Sequence, residues 1–169
     1  MTRPDIRRIL ALAATAGLLL VGCAEDVAPV APAATASRQA EIAARGASVM
    51  PFDLERTTHR FTRNDTGGVQ TVVADDPHDA TQVTLIRAHL AAEAERFRRG
   101  DFTDPAAIHG SRMPGLQQLR DHDGRITIDY APTTDGGRVT YTTGDTALRE
   151  ALHHWFDAQV SDHGSHATN

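Results

Sequence analysis

The stretch RTTHRFTRNDTGGVQTVVA, residues 56–74, predicts the fold of this chain more clearly than any other segment. Its two arms, 56–63 and 69–74, are rich in threonine, valine and phenylalanine, which are residue types favoured in β-strands. Between the arms lies NDTGG (64–68), a cluster of residues that tolerate the positive φ of a tight turn. Two strand-like arms around such a turn predict a β-hairpin.

An amphipathic helix is expected after this hairpin. Asp76 and Pro77 are typical of a helix start, and Gly100 is typical of a left-handed helix end. Between them, five apolar residues recur in steps of three and four, which places them on one side of a helix. These residues are Val83, Ile86, Leu90, Ala94 and Phe97.

The second half of the chain repeats this order. After short helices near 104–110 and 116–119, residues 125–130 alternate between apolar and polar, and a second alternating run follows Gly136-Gly137. Asp145 then begins a final helix whose buried side is Leu148, Ala151, Leu152 and Trp155.

We therefore predict an α+β fold in which two β-hairpins form an antiparallel sheet packed against two longer helices. The order hairpin, helix, hairpin, helix is that of a duplicated ββα unit, 56–99 and 125–162. The expected single α+β domain covers 48–163, and residues 164–169 are expected to be a disordered, histidine-containing tail.

The N-terminal segment predicts export and lipid attachment. Arg3, Arg7 and Arg8 precede an apolar run, 9–21, that is too short to span a bilayer. The run ends in Leu-Val-Gly-Cys (20–23), which resembles the lipobox of bacterial lipoproteins. The resemblance implies that 1–22 is a signal peptide and that Cys23, the only cysteine, is acylated. The alternative is an ordinary signal peptide with a chance cysteine.

Residues 23–47 are rich in proline and small side chains, so we predict a lipid-anchored flexible tether, in which the alanine and glutamate content of 38–45 also allows a short helical patch. Lipoproteins retained in the inner membrane tend to carry aspartate after the acylated cysteine, and here that position is Ala24. This pattern predicts a cell-envelope protein, lipid-anchored at the periplasmic face of the outer membrane if the organism is Gram-negative.

Charge and motifs exclude several function classes. Cleavage before Cys23 removes three arginines and one aspartate, which leaves 14 basic and 21 acidic side chains and a formal charge of −7. Such a chain has no dominant basic patch, so we expect no nucleic-acid partner. It also lacks a Gly-x-Ser-x-Gly elbow and a glycine-rich phosphate loop that opens a helix.

The final helix carries the first candidate site. With Leu152 and Trp155 facing inward, His153, His154 and Asp157 face outward, and His163 follows nearby. Imidazoles and a carboxylate close together predict a site for a Zn, Cu or Ni ion. The alternative is a solvated polar face with no ligand.

The second candidate is a loop that carries His109 and Met113, four residues apart. An imidazole with a thioether suits copper. The alternative is that Met113 fills a gap in the core and that His109 ends a helix.

Several segments resemble a family of small exported bacterial proteins without an established function, over residues 50–164. The resemblance rests on MPFDLERTTH (50–59), GVQTVVAD (68–75), IHG with MPGL (108–116), and WFDAQ with SDHG (155–164). Some members carry the label aspartate carbamoyltransferase. That activity would require a Ser-Thr-Arg-Thr phosphate loop and two larger α/β domains, which this sequence does not contain.

We therefore expect a membrane-tethered, non-catalytic binding domain whose ligand is a transition metal or an envelope partner protein. The alternative is a small envelope enzyme that uses His109 or His59 in a cleft between hairpin and helix. A closed pocket that converges on those histidines would favour the enzyme, and an exposed polar face of the last helix would favour the binding domain.

Overall fold

The computed structural model describes residues 32–169. The predicted signal peptide 1–22, the acylation site Cys23 and the first part of the predicted tether lie outside the described residues. Within 32–169, no helix combines the length and apolar character that crossing a membrane requires.

Five α-helices and five strands make up the described chain. They are α1 (Pro32–Val49), β1 (Thr57–Asn64), β2 (Gly67–Ala74), α2 (Ala80–Phe97), α3 (Thr103–His109), α4 (Leu116–Arg120), β3 (Thr127–Pro132), β4 (Gly136–Thr142), α5 (Thr146–His163) and β5 (Ala167–Thr168). Single 3-10 turns, Leu54–Arg56 and Gly164–His166, precede β1 and β5.

The five strands form one mostly antiparallel sheet in the order β3-β4-β2-β1-β5. The hairpins β1–β2 and β3–β4 are joined through the antiparallel pair β2–β4, and the short β5 runs parallel to β1. The fold is therefore α+β, as the hydrophobic pattern predicts. The first helix after a hairpin begins at Ala80 with Asp79 as its cap, one turn later than Asp76 predicts.

Two glycines allow α2 and α5 to pack on the same face of the sheet. A Cβ at Gly68 would lie 2.5 Å from the Phe156 ring of α5, and one at Gly137 would lie 3.2 Å from Leu90 of α2. Gly68 pairs with Tyr141 and Gly137 with Val72, so both glycines lie on the face that carries these buried side chains. Each ββα segment thus contributes a glycine at which the helix of the other segment approaches the sheet.

The core lies between this sheet face and the two helices. All five apolar residues predicted for α2 are buried, as are all four predicted for α5. Aromatic rings fill the centre: Phe97 stacks on Phe102 at 4.4 Å, and both meet the Trp155 ring edge-on.

Helix α1 corrects the predicted tether, because residues 32–47 are helical and docked on the domain. Ile42 is 1% exposed. Arg45 Nη1 donates to the Ile108 carbonyl at 3.2 Å, and Gln39 Nε2 donates to the Ser161 carbonyl at 3.0 Å. Ile42 is the buried apolar side chain of this helix, so the docking depends on it together with these long-range polar contacts. The folded unit therefore begins well before residue 48.

The C-terminus corrects a second prediction. Residues 164–169, expected to be a disordered tail, contain a 3-10 turn and the strand β5. Ala167 pairs with His59 in β1 and is 6% exposed. The tail thus completes one edge of the sheet.

Candidate functional site

A small cavity lies between α2, α3, α5 and the first hairpin, and its wall combines apolar side chains with polar ones. Its volume is about 30 Å³, which is room for about two water molecules. Its wall contains four imidazoles, two carboxyl groups, two carboxamides and an indole. These belong to His59, His89, His109, His163, Glu93, Asp104, Gln70, Gln159 and Trp155.

Three of the imidazoles form a row on one side of this cavity. His59 from β1 stacks on His163 from the end of α5, with ring centroids 5.0 Å apart and planes inclined by 27°. His109, the last residue of α3, meets the His163 ring edge-on, also at 5.0 Å. Three separate elements therefore bring these side chains together, and His163 is the central member of the row.

The row ends in a hydrogen-bonded carboxylate. Asp162 Oδ2 lies 2.8 Å from His109 Nδ1, and Arg38 Nε donates to Asp162 Oδ1 at 2.5 Å. Burial raises the pKa of Asp162, but the hydrogen bonds from His109 and Arg38 lower it below its usual value. Because an ionised carboxylate only accepts, Nδ1 of His109 carries the proton of this contact. The Asp162 contact thus fixes the orientation of the His109 ring through Nδ1, and Nε2 takes no part in this contact.

Glu93 supplies a second titratable centre. It is 4% exposed and forms an ion pair with Arg96, which also binds Asp104. Burial raises the pKa of Glu93 to about 7, against the hydrogen bond from Arg96. This carboxyl group therefore exchanges its proton near neutral pH.

Two buried nitrogen atoms in the cavity wall have no hydrogen-bond partner within the described chain: His59 Nε2 and Trp155 Nε1. Their residues are 3% and 1% exposed. Leaving such a group unpaired costs about 1–3 kcal/mol. The indole N–H is a donor only, so its missing partner must be an acceptor.

Burial favours the neutral form of three of the four imidazoles, those of His59, His89 and His163. Burial lowers the pKa of His163 to about 4, with a further contribution from His109. Burial also lowers the pKa of His89, and it lowers that of His59 well below the usual value. The interior thus disfavours added charge.

A larger cavity of about 240 Å³ lies on the other side of the histidine row, beneath α1. His59 and His163 line both cavities. Ile42 and Leu54 form an apolar part of the outer wall, and the ion pair between His166 and Glu55 lies at 3.5 Å beside it. The stacked imidazoles therefore separate an inner space from an outer one.

The predicted metal group on α5 is not brought together. His153 bonds the Gly67 carbonyl at 2.8 Å, Asp157 pairs with Arg63 at 2.9 Å, and His154 is exposed. His163 instead faces inward to His59. Across 32–169, no group of three or more His, Cys, Asp or Glu side chains has the arrangement of a metal site.

His109 and Met113, the second predicted pair, have different partners. His109 ends α3 and bonds Asp162, while Met113 is 6% exposed and belongs to the hydrophobic core. These positions match the structural alternative considered for the loop, in which Met113 fills the core.

Some polar residues of the cavity wall could have been predicted from the apolar stripes of the strands and helices. His59 alternates with Thr57 and Phe61, so it shares their buried face. Glu93 stands three residues after Leu90 and therefore within the buried stripe of α2. Gln159 and Asp162 continue the stripe of Trp155 in steps of four and three. A polar residue inside an apolar stripe was thus the signal for a polar cavity.

The comparisons with known proteins give no relative. No protein-family model, curated protein or solved structure matches this chain. The resemblance to exported bacterial proteins therefore stays a prediction.

Proposed function

We propose that this chain is a membrane-tethered lipoprotein of the cell envelope whose α+β domain binds a small, uncharged, hydrogen-bond-accepting molecule in the histidine cavity. The observation that carries the proposal is a pair of buried nitrogen atoms, His59 Nε2 and Trp155 Nε1, which have no hydrogen-bond partner within residues 32–169 and belong to the wall of one cavity. A ligand that accepts from the indole would satisfy the donor that the protein leaves unpaired.

The charge state of the wall supports an uncharged ligand. Burial lowers the pKa of His163 to about 4 and raises that of Glu93 to about 7, which favours the neutral imidazole and, below pH 7, the neutral carboxyl group. The remaining carboxylate of the wall, Asp104, is already paired with Arg96. A bare ion in such surroundings would lose its hydration without a counter-charge. The volume of the cavity limits the bound part of the ligand to a few non-hydrogen atoms.

The envelope location rests on the sequence. The basic start, the apolar run and the lipobox-like LVGC (20–23) support acylation at Cys23. The ligand would then reach the domain from the envelope space or from the membrane surface.

Trp155 is the only tryptophan, so its indole Nε1–H signal in an ¹⁵N-correlated NMR spectrum reports directly on the cavity. The test titrates the full chain in detergent, at pH 7, with size-matched pairs: formamide against formate, and acetamide against acetate. We expect the two amides to shift the indole signal with dissociation constants in about the millimolar range, as ligands of so few atoms allow. The two anions should leave it in place.

His59→Phe keeps an aromatic ring but removes Nε2, one of the two buried nitrogen atoms without a partner in the described chain. This variant should therefore weaken amide binding. His78→Gln changes an exposed histidine outside the cavity and should bind like the parent. If neither amide moves the indole signal, or if the anions bind as tightly as the amides, the proposed function is wrong.

The Asp162–His109 pair favours a second candidate, a small envelope enzyme that uses acid–base chemistry. A carboxylate that orients an imidazole is the arrangement that activates a general base, and Glu93, with its pKa of about 7, would be the matching acid. The test follows the NMR signals of a bound ligand over time. Turnover by the parent that stops in His109→Asn, while binding persists, would establish catalysis; an unchanged ligand would exclude it for that compound.

A further inference from the structure

A surface cleft beside the histidine row is lined by arginine side chains and by no acidic ones. The cleft has a volume of about 460 Å³ and lies between α1 and the loop that follows α3. Of its eight lining residues three are arginines, Arg38, Arg45 and Arg112, and none is acidic. The chain as a whole has more acidic than basic side chains, so this local excess runs against its composition.

Two of these guanidinium groups are held in position by the protein. Arg38 Nη2 donates to the His109 carbonyl at 3.3 Å, and Arg45 Nη1 donates to the Ile108 carbonyl at 3.2 Å. Asp162 balances the charge of Arg38, and the exposed Glu41 lies 3.1 Å from Arg45. Each guanidinium has five N–H donors, so both keep donors beyond these contacts.

Arg112 is the third member and is exposed. None of the ion pairs formed within residues 32–169 includes Arg112. Its neighbour Ser111 adds a hydroxyl group to the same wall. A fixed pair of guanidiniums with a third, unbalanced one beside them is an arrangement suited to an oxyanion, because planar N–H pairs match the oxygen atoms of phosphate and carboxylate.

We propose that this arginine cleft, formed by Arg38, Arg45, Arg112 and Ser111, binds a phosphate group. The site is separate from the inner cavity and independent of the function proposed for it. His109 lines both spaces, so the two sites share one wall. The phosphate belongs either to a free solute or to a phospholipid headgroup at the membrane surface; both present the same oxygen atoms.

The test measures binding to the full chain in detergent by titration calorimetry. One arm uses inorganic phosphate, and the other uses glycerophosphoglycerol, the deacylated headgroup of phosphatidylglycerol. We expect binding in at least one arm, and the arm that binds more tightly identifies the source of the phosphate group.

The variants Arg112→Gln and Arg45→Gln should each weaken that binding at least tenfold, since each removes a charge-assisted hydrogen bond. Arg138→Gln is the matched control, because Arg138 is an exposed arginine on the opposite face of the sheet. It should bind within twofold of the parent. Arg112 is exposed and unpaired within the described chain, so its substitution leaves the fold intact. Absence of heat in both arms at millimolar ligand, or equal weakening by Arg112→Gln and Arg138→Gln, would overturn the proposal.

Discussion

The central imidazole of the row should make the domain sensitive to acid. Burial lowers the pKa of His163 from 6.5 to about 4 in the folded state, while the unfolded chain keeps a value near 6.5. Between these two values, the unfolded state binds a proton that the folded state excludes. Stability must therefore fall as the pH falls from 6.5 to 4, and the difference is fully developed below pH 4.

The size of this effect follows from the shift. One pKa unit corresponds to about 1.4 kcal/mol, so the shift of His163 removes about 3 kcal/mol of unfolding free energy across this interval. That is a large part of the about 5–15 kcal/mol that stabilises an ordinary domain. Glu93 acts in the opposite direction, because its raised pKa lowers stability as the pH rises from 4.5 to about 7.

The assay is urea unfolding of the full chain at a series of pH values from 4 to 7, for the parent, His163→Gln and His78→Gln. As the pH falls from 6.5 to 4, we expect the free energy of unfolding of His163→Gln to decrease by about 3 kcal/mol less than that of the parent. The contribution of Glu93 cancels in the comparison, because His163 is not among the causes of its pKa shift. That of His59 cancels only in part, because the charge of His163 contributes to its lowered pKa. Parallel curves for the parent and His163→Gln would refute the reasoning, whatever the absolute stability of the variant.

Two further predictions concern the N-terminal part of the chain. Ile42→Ala should lower the free energy of local opening of α1 by about 2–4 kcal/mol, because the isoleucine is fully buried against the domain; hydrogen exchange in 32–49 measures this, and the exposed Ala44→Ser should change it little. If exchange in α1 is as fast in the parent as in Ile42→Ala, the helix is not docked in solution. Cys23→Ser should abolish incorporation of a labelled fatty acid and leave the signal peptide attached; a labelled serine variant would contradict the proposed acylation.

The hairpins and long helices were predictable because their signals are local. The threonine- and valine-rich arms around NDTGG predict β1 and β2. The apolar residues spaced by three and four positions from Val83 to Phe97 predict α2. Each pattern needs only neighbouring residues and a face to bury. The pairing of the two hairpins through β2 and β4 was not predicted, because either strand of each hairpin could have formed that contact.

Helix α1 and strand β5 were not predictable in this way. The helix depends on Arg38 and Gln39 reaching Asp162 and Ser161, more than 120 residues away, and its own sequence offers one buried apolar side chain. The strand has two residues and forms because β1 presents a free edge to it. Neither element carries enough local information to predict its structure.

The candidate site was predictable only in part. His59 and His109 were singled out from the sequence, but the row needs His163, which the sequence analysis assigned to an outward metal group. His163 is the last residue of α5, and the predicted helical unit ends at 162, so the sequence analysis did not extend the buried stripe of α5 to it. Three elements far apart in the chain converge at this point, so no local pattern describes it.

The docking of α1 has a consequence for the distance at which the domain works. Since the folded unit includes residues from 32 onward, only residues 24–31 connect it to Cys23. Eight residues span at most about 28 Å even when fully extended. With Cys23 acylated as proposed, the domain cannot travel further from the bilayer than roughly its own diameter. A soluble ligand can still diffuse to the domain, but a partner fixed at the far side of the envelope is beyond its range.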